Sequence, residues 1–194
     1  MSPKQPSVME VMSDPACPAA VLLGDPGSGK STLAQYVALR WVEDRSEPFP
    51  ILIELRKYAT DETSPRTFLD FLHGGKSHIC RLDQHYMDQR FKAGNAIVIF
   101  DALDEITNAA TRNSIVNEIV RFAKVEYPLV RVVVTSRVIG FQPSAHSFRT
   151  AGFRQFTIYD FGDSEISSFL ESGTRSQCRT LPKGLFWGSA SSVR

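Results

Sequence analysis

The sequence is poor in cysteine, in unbalanced charge and in long apolar runs, and each lack removes a class of protein. Cys17, Cys80 and Cys178 are odd in number and far apart, which makes neither a disulfide framework nor a zinc-ligand pattern and suits a reducing compartment. The 22 Lys and Arg nearly cancel the 21 Asp and Glu, so the global electrostatic footprint of a nucleic-acid binder is absent. The longest apolar runs, Ala96 to Phe100 and the equally long Ala19 to Leu23, are far short of the roughly 20 residues that span a bilayer. The start of the chain, with Pro3, Pro6, Glu10 and Asp14, lacks the basic beginning and apolar middle of a signal peptide. These readings lead to the expectation of a cytoplasmic protein with no membrane span and no evident nucleic-acid partner, a local basic patch staying open.

What remains is ordinary for a globular domain: 194 residues, 42% hydrophobic and 22% charged, enough to bury one sizeable core. Residues 1–18 hold Pro3, Pro6, Pro15 and Pro18 with no sustained periodicity and read as a lead-in linker. Regularity begins at Ala19. A short apolar run to Leu23 is followed by Gly24 and then by Leu33, Tyr36, Val37 and Trp41 at helical spacing, the pattern of strand, turn and helix. Ile51 to Leu55 reads as a second strand, with Glu54 near its end or at an edge. Helices are expected around Thr67 to Leu72 and Gln84 to Lys92, with a break at Gly74 and Gly75. Ala96 to Phe100 forms a third strand, Ala110 to Val125 a helix, Val130 to Thr135 a fourth strand and Gln155 to Tyr159 a fifth. A short helix is expected at Ser164 to Leu170. Strands alternating with helices at this spacing predict an α/β fold, a three-layer α/β/α domain over residues 19–171 with a mostly parallel sheet of five strands. From Ser172 to Arg194 small and polar residues dominate, and a poorly ordered tail is expected.

Three segments carry chemistry. Gly24, Asp25, Pro26, Gly27, Ser28, Gly29, Lys30 and Ser31 fit the P-loop pattern, and the strand before and helix after supply the context that a chance match lacks. Backbone N–H groups there converge on phosphate oxygens, and glycine leaves the approach open. Lys30 reaches the β and γ phosphates, Ser31 ligates Mg²⁺, and Thr32 continues the first turn of a helix whose N-terminus favours an anion. The alternative is a glycine-rich turn without a ligand. The second segment, Ile97 to Glu105, is a buried strand that delivers carboxylates at its C-terminal end, where open α/β sheets place ligands. Asp101 is the candidate Walker B carboxylate that holds Mg²⁺. Glu105 is the first candidate for the base that orients or deprotonates the attacking water, and Asp104 the second. Both acids also fit a charged first turn of the next helix. The third segment, Thr135, Ser136 and Arg137, follows the fourth strand; there Arg137 either meets the γ phosphate or is a solvated strand end.

With these segments in place, the chain resembles the NACHT domain of signal-transduction ATPases with numerous domains, relatives of the AAA+ group and closest to bacterial members. The matching stretches are Val21 to Thr32, Pro50 to Tyr58, Ile97 to Glu105, Val132 to Arg137 and Phe153 to Phe169. The resemblance implies a sheet in which the Arg137 strand separates the Walker B strand from the P-loop strand. It also implies an ADP-bound resting state and an ATP-bound homo-oligomer that signals to an effector, often in defence. Such proteins normally continue into helical and winged-helix domains and a repeat sensor, and carry an N-terminal effector. None of these is recognised in the sequence, which leads to the expectation of a fragment or truncated product with weak hydrolysis, or one that binds nucleotide without significant turnover. ATP is favoured over GTP because no Asn-Lys-x-Asp segment is present. His73, His78, Cys80 and His85 fit no metal spacing. Phe148, Phe153, Phe156 and Phe169 read as core.

Overall fold

The computed structural model describes residues 8–14, 16–45, 48–61, 67–74, 82–158 and 190–192. Helix α1 (Val8–Ser13) leads into strand β1 (Ala19–Leu23), and the P-loop joins β1 to α2 (Lys30–Glu43). Strand β2 (Phe49–Glu54) runs without a loop into α3 (Leu55–Thr60), followed by α4 (Phe68–Gly74) and α5 (Gln84–Lys92). Strand β3 (Ala96–Asp101) ends in a 3₁₀ turn, Leu103–Glu105, before α6 (Ala109–Arg121) and a π-helical turn, Phe122–Glu126. Strand β4 (Arg131–Ser136), the short helices α7 (Val138–Phe141) and α8 (Ala145–Thr150), and β5 (Arg154–Ile158) follow. Strand β6 (Ala190–Ser192) completes the described chain.

The sheet order is β2-β3-β4-β1-β5-β6. The first five strands are parallel, and β4 stands between β3 and β1 as the resemblance implied. The antiparallel β6 on the outer edge of β5 was not anticipated; it comes from three residues of the segment read as a poorly ordered tail, with the rest of 172–194 outside the described residues. The helix expected at Ser164 to Leu170 lies outside them too.

Parallel strands covered on both faces read as unbroken apolar runs, and β1 and β3 do so because each residue of Ala19–Leu23 and Ala96–Phe100 is buried. The two faces are packed differently. One carries a large aromatic core in which Phe68 meets Phe100 at 4.6 Å and Tyr58 at 4.7 Å, while Phe91 and Tyr127 lie 5.3 and 5.0 Å from Phe122 and from Phe91 respectively. Mixed edge and tilted ring pairs of this kind add to the burial term. Here Phe148 and Phe153 are core, 5.0 Å apart. The other face is thinner: Leu22, Ile97, Ile99, Val133, Phe156 and Ile158 pack under Leu33 and Val37 of α2 and under Val11 and Met12 of α1.

That last contact corrects the reading of residues 1–18 as a linker for the described part, residues 8–14, with 1–7 outside the described residues. Proline at 3, 6, 15 and 18 hid a short helix between them, whose Val11 and Met12 are each 4% exposed. Arg131 donates to the Met12 carbonyl at 3.2 Å and Arg154 pairs with Asp14 at 3.3 Å. Residues 8–14 are therefore part of the folded unit. Burying a methionine this fully predicts that Met12→Ala lowers unfolding free energy by about 2 kcal/mol or more, measured by urea denaturation; a segment that merely led into the domain would show no change.

Candidate functional site

The C-terminal ends of β1, β3 and β4 lie side by side, and the three chemical segments extend from them. Between the P-loop and these ends is a cleft of about 290 Å³, lined by Pro26, Gly27, Gly29 and Lys30 on one side and by Asp101, Ala102, Asp104, Glu105, Thr135 and Arg137 on the other. All of the proposed catalytic residues and Asp101 therefore share one cavity with the P-loop lysine.

The loop is built by glycine at the points where a side chain fails. Gly27 and Gly29 adopt φ 89° and 85°, a region that residues with a Cβ rarely enter. A Cβ on Gly24 would stand 2.4 Å from Ser28 Oγ, so its absence lets Ser28 fold back over the loop. Asp25 and Pro26 are exposed at the tip. Ser31 and Thr32 fall in the first turn of α2, with side chains outside those described.

Whether the loop suits a polyphosphate is visible in what holds Lys30. Its ammonium donates to the carbonyls of Gly24 (2.7 Å) and Asp25 (2.8 Å) and to Ser28 Oγ (3.1 Å), all neutral acceptors. Burial pushes Lys30 below the usual lysine range, with Asp104 and Asp101 pulling in the opposite direction. A charge kept in place by its own loop, at the start of a 14-residue helix whose N-cap glycine provides no side-chain cap, matches the demands of an anion with several oxygens. The donors fit a nucleoside triphosphate, and Asp101 across the cleft fits a hard divalent cation.

Asp101 is fixed from β4. Thr135, fully buried, donates from its hydroxyl to Asp101 Oδ1 at 2.5 Å and accepts the Ala102 N–H at 2.9 Å. Asp104 is engaged by Arg137 twice: the Arg137 backbone N–H donates to Oδ1 at 3.0 Å, and Nε pairs with Oδ2 at 3.1 Å. Its carboxylate is 11% exposed whereas the Arg137 side chain is 55% exposed. Glu105, by contrast, is exposed and among the described residues meets the long, solvated approach of Arg56 at 3.9 Å, a kind of pair that contributes little. Glu105 and Arg137 also line a second cavity of about 570 Å³ under α3 and the start of α6, so they form the wall between the two.

Comparison with known proteins places the chain. The model of the NACHT domain matches residues 19–176. The chain belongs to the NACHT family. An uncharacterized WD repeat-containing protein of Nostoc sp. is 27% identical over 135 residues, 65% of this chain, and the match spans 9% of that relative's length. Among solved structures, the DnaC helicase loader is similar at a TM-score of 0.42 and 14% identity, covering 74% of this chain and 75% of the other. A Pif1 helicase structure is similar at a TM-score of 0.44 and 15% identity, covering 85% and 46%.

In this NACHT domain two features of the cleft went unseen in the sequence. One is the double hydrogen bond of Thr135; its only sequence signal was a polar residue closing the buried run Val132 to Val134. The other is the backbone of Ala102, at φ 60° and ψ 55°, the one non-glycine residue of positive φ among the described residues. The left-handed turn swings the chain out of β3 so that Leu103 enters the core while Asp104 and Glu105 reach the cleft. His73 and His85, weighed as metal ligands, bond instead to the Leu82 carbonyl at 2.9 Å and to Gln89 at 2.8 Å; His78 and Cys80 lie outside the described residues. A left-handed conformation costs an L-residue roughly 1–2 kcal/mol, part of which glycine returns as backbone entropy. Ala102→Gly is therefore expected to raise stability by up to about 1 kcal/mol, read as a higher thermal midpoint; an unchanged or lower midpoint would show that the turn is not strained.

Proposed function

We propose that this NACHT domain is a nucleotide-dependent switch module that binds ATP with Mg²⁺ and hydrolyses it slowly. The observation that carries the reading is the half-buried Lys30 ammonium, held by neutral loop oxygens and facing Asp101 across one cleft. A triphosphate offers that ammonium full negative charges in place of carbonyl dipoles, an ion pair where the resting loop supplies only charge–dipole bonds. Ser31, at the first turn of α2, and Asp101 would hold Mg²⁺, which supplies charge neutralisation between the β and γ phosphates when bound.

The roles of the acids follow from their partners. Asp104, its two oxygens engaged by Arg137, suits the seating of the guanidinium at the cleft mouth. Glu105, paired only loosely with Arg56, is the carboxylate better placed to orient water, and its position on the wall toward the second cavity gives water a way in. Arg137 would meet the γ phosphate and so report which nucleotide is bound. In the open cleft of this chain the reacting centre is wet, which favours binding over turnover. A nucleotide-dependent homo-oligomer, an effector and sensor elsewhere in a longer protein, a cytoplasmic setting and a part in bacterial defence remain the companions of this reading that the family suggests.

The test is thermal unfolding with Mg²⁺ and ATP, ADP or GTP, set beside Lys30→Ala. At a nucleotide concentration 100 times its Kd the wild-type chain should gain about 2.7 kcal/mol, with adenine nucleotides ahead of GTP and the gain lost in the variant. A shift retained without Lys30 removes the loop from binding. Glu105→Gln is expected to leave the ATP-induced shift intact while lowering release of phosphate by about 10²-fold or more; unaltered release excludes Glu105 as the base.

A further inference from the structure

The Thr135 hydroxyl has a single proton and a single orientation open to it. Because it accepts the Ala102 N–H at 2.9 Å, its own proton is directed to Asp101 Oδ1 at 2.5 Å, and a hydroxyl has no second donor to offer elsewhere. The two side chains stand on adjacent parallel strands, one step beyond the paired Phe100 and Val134, so the sheet register itself brings them together. Thr135 is fully buried, and water cannot replace the bond on equal terms.

Two consequences converge on the cleft. One oxygen of Asp101 is drawn back toward β4, which fixes the rotation of the carboxylate and leaves the other oxygen as the one presented to a cation. The same hydroxyl anchors the N–H of Ala102, the left-handed residue from which the next turn is launched. The Ala102 carbonyl then accepts the Glu105 N–H at 3.1 Å. A single side chain thus sets both the acid that would face the metal and the turn that carries the acid that would face water.

We infer that Thr135 is a positioning residue for the cation site of this domain, acting through Asp101 and through the Ala102 turn rather than by touching nucleotide. The inference rests on the assignment of Asp101 to Mg²⁺ and extends it to a residue outside the acidic motif. Supporting groups of this kind typically govern metal affinity by about 10- to 100-fold.

Thr135→Val keeps the shape and removes the hydroxyl; Thr135→Ser keeps the hydroxyl. The ATP-induced rise in thermal midpoint is followed as MgCl₂ is titrated. The valine variant is expected to need about 10- to 100-fold more Mg²⁺ for half of the rise, with the serine variant close to wild type. In an Asp101→Asn background the valine change should move the Mg²⁺ curve no further. A valine variant that melts earlier without nucleotide but follows the wild-type Mg²⁺ curve has only a packing role at this position, and overturns the inference. If the valine variant shows no cooperative transition, Thr135→Ala is read in the same way. A wild-type rise that ignores Mg²⁺ altogether sinks the assignment of Asp101 instead, which keeps the two failures apart.

Discussion

The constraint on which the site depends is the parallel register of β3, β4 and β1. Phe100 is paired with Val134, and Val134 with Val21, so three strands separated by long stretches of sequence finish at the same height. Each crossover must pass over a face of the sheet, which leaves the strand ends free of connections other than the loops that begin there. The P-loop, the acidic turn and Arg137 are those loops. Gly24 is tied into the same row, since its N–H donates to the Ser136 carbonyl at 3.2 Å. Remove the register and no set of local preferences would bring Lys30, Asp101 and Arg137 to one cleft.

The packing beneath that row is unequal, and the inequality has a function in the fold. The aromatic face holds α3 through Tyr58, whose hydroxyl donates to Glu118 Oε1 of α6 at 2.6 Å. Burial raises Glu118 above the ordinary carboxylate range while the bond from Tyr58 opposes the rise. This half-buried pair ties α3 to α6, the two elements that flank the acidic turn and border the second cavity. Across the sheet, α1 and α2 cover a smaller aliphatic surface, and there the contact of α1 with β4 and β5 replaces bulk with a few well-buried side chains.

Much of this was legible in the residues because periodicity and spacing are strong signals over long elements. The Leu33, Val37 stripe located α2, the apolar run Ala96 to Phe100 located β3, and the glycine spacing located the loop. The failures share a physical cause: they concern contacts between residues distant in sequence. Nothing near Val11 and Met12 indicates that β4 and β5 lie under them, and nothing near Ala190 to Ser192 indicates an edge to pair with. Short helices such as α7 bury one face through tertiary packing alone, so their own propensity is a weak guide. The cleft was legible as a set of residue types, but the partition of its acids was not. Asp104 and Glu105 are neighbours in the chain, and only their surroundings separate a carboxylate engaged by Arg137 from one left in solvent.

One feature of β2 bears on a different property. Phe49 donates its N–H toward β3, to the Asn95 carbonyl at 3.0 Å, so by alternation the backbone of Pro50, Leu52 and Glu54 faces outward from the sheet's edge. Pro50 has no N–H to offer there, and Glu54 sets a charge at the strand's end, where it pairs with Lys57. An exposed parallel edge is an invitation to further strands. With a donor missing at one end and a charge at the other, this edge resists the runaway pairing that seeds aggregation, and the sheet stays finite on that side.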